Sequence, residues 1–159
     1  MHLICEPAGR LAVDRAVDFV AVQDFLADES ACRAVWDLIS SQFRTRGKFL
    51  AIWPAVGHVV MHRDPTGAVD GFLLVSELVN WQLDYVVVRD DARGQGIASA
   101  LVCGALDEAC RRRVPYVMLT CADDLSPLYE RCGFRPVTST PTPLPSPPLP
   151  ARRPDHPAS

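Results

Sequence analysis

The stretch Val86-Val87-Val88-Arg89-Asp90-Asp91-Ala92-Arg93-Gly94-Gln95-Gly96-Ile97-Ala98 decides how the chain is read. An apolar strand enters a short charged turn, then Arg-x-x-Gly-x-Ala, then an amphipathic helix. This order aims several free backbone N–H groups and the positive end of a helix dipole at one point, which is a binding site for phosphate. Glycine at 94 and 96 lets backbone approach an anion with no Cβ in the way.

Working outward, Trp81 to Val88 is expected as a strand whose Val-Val-Val end is buried on both faces. Before it, Val59–Arg63 and Asp70–Val79 form an antiparallel hairpin around the Asp64-Pro65-Thr66-Gly67 turn. After the loop, a helix over Gly94–Arg113 carries Ile97, Leu101, Val102, Ala105, Leu106 and Ala109 as its apolar stripe, with Ser99, Cys103 and Asp107 opposite. Arg111-Arg112-Arg113 is read as a solvated last turn. Tyr116–Cys121 is a buried strand, Leu125–Cys132 a short helix closed by Gly133, and Phe134–Val137 a last strand. In the N-terminal third, Asp18–Glu29 and Ser30–Thr45 read as helices, the second capped by Ser30. Arg44–Lys48 reads as a basic turn and Phe49–Trp53 as a short strand.

The 159 residues suffice for one domain, assigned to 1–137. Residues 138–159 hold eight of the fourteen prolines and almost no large apolar groups, so they read as a disordered, passive tail. A net charge of −3 gives no global attraction to nucleic acid or anionic membrane, so a polyanion must be held by local geometry. Neither a membrane-spanning run nor a signal peptide is visible, and the six cysteines lack a C-x-x-C pair. The expectation is a cytoplasmic chain with reduced, buried thiols and no metal; His58 and His62 read as hairpin-surface residues.

Two nucleotide readings fail. A dinucleotide fold needs a third glycine after Gly94 and Gly96, and a phosphate loop of the Gly-Lys-Ser/Thr type needs a lysine; neither is present. Arg93-Gly94-Gln95-Gly96-Ile97-Ala98 instead resembles the acyl-CoA-binding motif of the GNAT family of N-acetyltransferases. Leu128-Tyr129-Glu130-Arg131-Cys132-Gly133-Phe134 resembles that family's second signature, a Tyr on a short helix followed by Gly-Phe. The resemblance covers roughly residues 57–137. It implies an α/β (α+β) acyl-CoA N-acyltransferase fold, with a mixed, mostly antiparallel sheet flanked by helices.

The resemblance also implies acetyl-CoA as co-substrate, bound by Val86, Val87, Val88, Arg93, Gly94, Gln95, Gly96, Ile97, Ala98 and Ser99. The pyrophosphate suits the helix start. The pantetheine amides suit the edge of Val86–Val88, which splays from its neighbour in the family. A backbone N–H near Val88 would stabilise the oxyanion of the tetrahedral intermediate. Tyr129 is the implied general acid, its phenol protonated at neutral pH. For the base, Asp84 lies four residues before Val88 and is expected on its face, Glu77 is an acid within an apolar strand, and ordered water is a third choice. The acceptor is a small-molecule or peptide amine attacking in a ternary complex; a non-catalytic acyl-CoA-binding module is the rival. Three departures stand out: Asp90 replaces a usual Pro, Ala122-Asp123-Asp124 lacks an Asn, and the proline tail replaces the final hairpin strand. The sheet is therefore either short of its last strand or covered at that edge by a partner chain, a second copy included.

Overall fold

The computed structural model describes residues 1–10, 16–42, 45, 47, 51–77 and 80–137. The chain runs β1 (His2–Cys5), β2 (Val17–Ala21), α1 (Val22–Ala27), α2 (Glu29–Ile39), β3 (His58–Arg63), β4 (Val69–Glu77), β5 (Trp81–Val88), α3 (Ile97–Arg111), β6 (Val117–Thr120), α4 (Ser126–Arg131) and β7 (Arg135–Pro136). The seven strands form one sheet in the order β2-β3-β4-β5-β6-β1-β7. Only β5 and β6 run parallel, joined by the α3 crossover; every other neighbouring pair is antiparallel. Among the described residues no helix is long and apolar enough to cross a membrane.

Each face of the sheet buries its own core. On one, Leu101, Val102, Ala105 and Leu106 of α3 pack on Val60, Leu73, Val75 and Leu83. On the other, Phe25 of α1 and Ala31, Val35 and Ile39 of α2 pack on Val59, Met61, Phe72 and Leu74. β4 is central and covered twice, so seven consecutive residues from Val69 to Val75 are buried. At Gly71 the helix comes so near that a Cβ would stand 2.8 Å from Ile97 Cγ2 and 3.3 Å from the Val87 carbonyl. Glycine lets α3 dock there.

The helix expected over Asp18–Glu29 is divided. Val17–Ala21 is an edge strand paired with β3 from Val17↔His62 to Ala21↔His58, and only Val22–Ala27 is helical. The β-branched and aromatic residues Val17, Phe19 and Val20 favour pairing over a helical turn. Asp28, not Ser30, caps α2: its Oδ1 accepts from the backbone N–H groups of Ser30 and Ala31, both at 3.0 Å. That helix gives way to a 3-10 turn at Ser40–Gln42 and does not run on to Thr45. Of the strand expected at Phe49–Trp53, the first two residues lie outside the described ones, and Trp53–Ala55 is a 3-10 turn containing Pro54. Most of the expected basic turn at Arg44–Lys48, the last two residues of the strand expected to Val79, and the proline tail also lie outside the described residues.

The strand that completes the sheet comes from the other end of the chain. β1 lies between β6 and β7, pairing His2↔Thr120 to Cys5↔Val117 on one side and Leu3↔Pro136 on the other. The place beside β6 is thus taken by the chain's own N-terminal strand, with β7 outermost. The segment after β1 also covers α3: Asp107, expected on the solvated side, is 2 % exposed and meets Arg10 Nε at 3.4 Å. Cys103 is buried with it, and all six cysteines are free thiols.

The arginine triplet is not simply solvated. Arg112 pairs with Glu108 at 2.8 Å and lies over the rings of Phe19 and Trp81, 5.2 and 5.7 Å from their centroids. The two hairpin histidines each take a carboxylate. His62 Nδ1 lies 2.6 Å from Asp70 Oδ1, and His58, stacked on Phe19, contacts Glu77. Leu3 is fully buried between the β1 pairings and the α3 core. Leu3→Ala is expected to cost about 2–5 kcal/mol, read as a lowered denaturation midpoint at unchanged slope.

Candidate active site

The site begins with one residue too many in β5. The β4–β5 register pairs Gly71↔Val88 and Phe72↔Val87, then shifts to Leu74↔Asp84. Tyr85 is the bulged residue, with φ +51, a left-handed conformation that costs a non-glycine residue strain. The bulge inverts the alternation of faces. Trp81, Leu83, Val86 and Val88 pack toward α3, whereas Val87 packs toward α2. Asp84, opposite Leu74, lies on the α2 side as well. A four-residue spacing predicts Asp84 on the face of Val86 and Val88; the bulge puts it on the opposite one.

The same irregularity opens the sheet. Pairing between β5 and β6 covers Trp81↔Val117, Gln82↔Met118 and Leu83↔Leu119 and ends there. From Asp84 to Val88 the pairing with β6 is not continued. Val86, Val87 and Val88 are consequently half-exposed and not buried on both faces.

Into this gap opens a cavity of about 650 Å³, within the range of small-molecule sites. Its floor is Val86–Val88, and one wall is the loop after β5. There a 3-10 turn at Asp90–Ala92 is anchored by the buried Ala92, and Gly94 and Gly96 follow with φ +78 and +79. Gly96 occupies the N-cap of α3 with no side chain to satisfy the helix's first N–H groups. Gly96, Ile97, Ala98 and Ser99 all border the cavity, so the N-terminal end of α3 adjoins it. A Cβ on Gly94 or Gly96 would meet no described atom within 4 Å. The loop is therefore a cradle with open room above it, and it fits a diphosphate.

The opposite wall is α4. Tyr129 is buried at 8 % exposure, borders the cavity, and packs edge-on against Phe134 with ring centroids 6.2 Å apart. The backbone N–H groups of Cys132 and Phe134 both donate to the Tyr129 carbonyl, at 2.9 and 3.1 Å, and Gly133 takes φ +102 between them. This turn closes the helix and seats the ring. Burial pushes the Tyr129 phenol above its ordinary value, and the nearby Cys121 and Cys132 side chains push it further in the same direction. Burial thus favours the neutral phenol at Tyr129.

Most of the expected ligand-binding residues meet on this one cavity: Val86, Val87, Val88, Arg93, Gly94, Gly96, Ile97, Ala98 and Ser99. Gln95 lies in the loop but not on the wall. Arg93 is partly tied down, with Nη2 2.8 Å from Asp90 Oδ1 and Nε donating to the Val88 carbonyl at 3.4 Å. Of the two carboxylates, Asp84 accepts a 2.8 Å hydrogen bond from Ser76 Oγ on the far face. Glu77 is the last residue of β4, opposite Trp81 at the start of β5 and about 20 Å along the sheet from Val88. There it is beside His58 and 3.7 Å from Arg112 Nη1. Neither carboxylate borders the cavity.

Four lining residues are not among those the sequence points to: Ala92, Leu125, Leu128 and Arg131. The i, i+3, i+4 spacing of Leu125, Leu128 and Tyr129 is a signal for two of them; Arg131 carries none. Among the described residues no cluster of three or more His, Cys, Asp or Glu side chains could hold a metal.

The acetyltransferase (GNAT) domain family matches residues 54–136. No curated protein matches the chain by sequence. Solved structures do resemble it. A GCN5-related N-acetyltransferase from Sphaerobacter thermophilus superposes with TM-score 0.58 at 21% identity, over 84% of this chain and 47% of that one. This chain thus spans about half of that protein's length. A ribosomal-protein-alanine N-acetyltransferase from Brucella melitensis gives TM-score 0.57 at 25% identity, over 76% and 91% of the two chains. A Trypanosoma brucei acetyltransferase gives 0.55 at 20% identity, over 78% and 94%. With a mixed sheet split beside a glycine loop, a tyrosine facing that loop, and a family match over half its length, the chain belongs to the GNAT acetyltransferases.

Proposed function

We propose that the protein transfers an acetyl group from acetyl-CoA to a primary amine by direct attack within a ternary complex. One observation carries the reading: a helix N-terminus, an unpaired strand edge and a buried phenol all border one cavity of about 650 Å³. Each part answers a piece of the donor. The Gly94–Ser99 backbone suits the diphosphate. The open edge of β5 offers N–H and C=O groups to the pantetheine amides in the manner of an added strand, and an N–H of that edge stabilises the oxyanion. Tyr129 protonates the departing thiolate.

The acceptor approaches, in this reading, from the α1/α2 face, where Asp84 lies oriented by Ser76 Oγ. Asp84 takes the proton from the amine, directly or through water. Glu77, facing α3 at the far end of the strand, is too distant for that role. Direct attack is favoured because no thiol lines the cavity among the described residues. The thiols nearest Tyr129 are poor nucleophiles: burial raises Cys121, and a hydrogen bond with Cys103 together with burial raises Cys132. The Brucella relative, a ribosomal-protein-alanine N-acetyltransferase by name, makes a peptide α-amine the first acceptor to try beside small amines.

Release of the CoA thiol from acetyl-CoA, measured across a panel of N-terminal-alanine peptides, amino acids and polyamines, tests the reading. Turnover with at least one amine is expected; binding of acetyl-CoA without any turnover would leave a non-catalytic binding module. Tyr129→Phe is expected to lower kcat roughly 10- to 1000-fold with acetyl-CoA affinity little changed. Because its pKa is raised in the fold, Tyr129 stays protonated beyond the ordinary phenol value of about 10 and loses its proton, and the stability tied to it, only as pH rises above that value. A near-ultraviolet titration of wild type minus Tyr129→Phe should therefore show a midpoint above about 10; a lower midpoint contradicts the assignment.

A further inference from the structure

One side of α3 carries Ser99, Cys103 and Asp107 at i, i+4 and i+8. Only Ser99 serves in the acetyl transfer proposed above. All three are met by residues at the end of α4 and just past β1. Arg10 pairs with Asp107 at 3.4 Å, and its Nη1 donates to the Cys132 carbonyl at 2.8 Å. Cys132, which caps α4, is hydrogen-bonded through its side chain to both Cys103 and Ser99. Cys103 and Cys132 are 8 % and 4 % exposed and belong to one core cluster. Two thiols thus meet across the seam between the helices that wall the cavity. Ser99 also borders that cavity, so the pair lies one side chain behind its wall.

The geometry points to an oxidation site: a peroxide converts Cys103 and Cys132 to a disulfide that fastens α4 to α3 and narrows the cavity between them. The two thiols have different roles. Cys132 keeps its proton, because the hydrogen bond with Cys103 and burial both raise its pKa. Cys103, the more accessible of the two, reacts first. Its sulfur attacks one peroxide oxygen, the O–O bond breaks, and the Cys103 proton leaves with the displaced hydroxide as water, giving a sulfenic acid. The Cys132 sulfur then attacks the Cys103 sulfur, the S–O bond breaks, and the Cys132 proton leaves with that hydroxide as a second water. The thiol pair gives up two electrons and the peroxide takes them. An S–S bond is shorter than the hydrogen bond it replaces and strict in its geometry, so α4 is drawn onto α3. Ser99 loses its thiol partner at the helix start. The site stands apart from the acetyl-CoA reading; only its effect measured with CoA rests on that reading.

The test treats the full chain with hydrogen peroxide, blocks the remaining thiols with N-ethylmaleimide, and maps the peptides by mass with and without dithiothreitol. A reducible Cys103–Cys132 link is expected. Calorimetric titration should then show CoA affinity roughly tenfold lower than in the reduced chain, restored by the reductant. Cys103→Ser should bind CoA as the reduced wild type does and no longer respond to peroxide. The map of the wild-type chain decides the site even where that variant fails to fold. Oxidation confined to the partly exposed Cys32, Cys110 or Cys121, or a link between Cys5 and Cys103, would overturn the inference. So would a Cys103–Cys132 link that leaves CoA affinity unchanged. A reduced chain that binds no CoA would overturn the donor reading, and the peptide map alone then decides the oxidation site.

Discussion

The pairing between β5 and β6 ends at Leu83, and nearly everything about the site depends on that break. A parallel pair buried between two layers normally keeps its ladder to the end, since unpaired N–H and C=O groups away from water are costly. Here Tyr85 adds one residue to β5 on its β4 side, the strand bends, and Asp84–Val88 diverges from β6. Val86–Val88 there border a cavity and not a paired strand, and in the proposed reading that edge suits the amides of the donor. The strained φ of Tyr85 belongs to the same device.

Around the break the fold is held from unexpected quarters. β1 enters between β6 and β7, so the strand leading to α4 is paired on both sides although the chain has no hairpin after β7 among its described residues. Arg10, just past β1, reaches both Asp107 on α3 and the Cys132 carbonyl, the latter at 2.8 Å. A buried carboxylate is costly unless paired, and this pairing ties the segment after β1 to both α3 and the end of α4. Those helices supply the two walls of the cavity. The N-terminal segment, which shows no motif of its own, thus bridges the two helices that border the cavity.

Much of the phosphate loop and the tyrosine helix is legible in the amino-acid sequence. The positive φ of Gly94 and Gly96, the helix beginning at Ile97 and the turn of Gly133 behind Tyr129 are local events, set by residues within a few positions of one another. The hairpin of β3 and β4 is readable for the same reason, with its Asp64–Gly67 turn between apolar strands. Val17–Ala21 misleads because its apolar residues suit a helix turn as well as an edge strand, and only the neighbouring β3 settles the choice. Arg131 carries no signal, since a lone arginine at a helix end is ordinary until the cavity beside it is known.

Contiguous residues, with their local backbone preferences, are enough to specify the loop, the tyrosine helix and hence the family. Three features depend instead on how distant segments pack: the face Asp84 presents, the place where Glu77 ends up, and the strand that closes the sheet. Strand periodicity has a period of two, so a single bulged residue reverses every assignment beyond it, and the bulge is defined only against β4. Likewise His2 finds Thr120 across more than a hundred residues of chain, a pairing that no local pattern encodes.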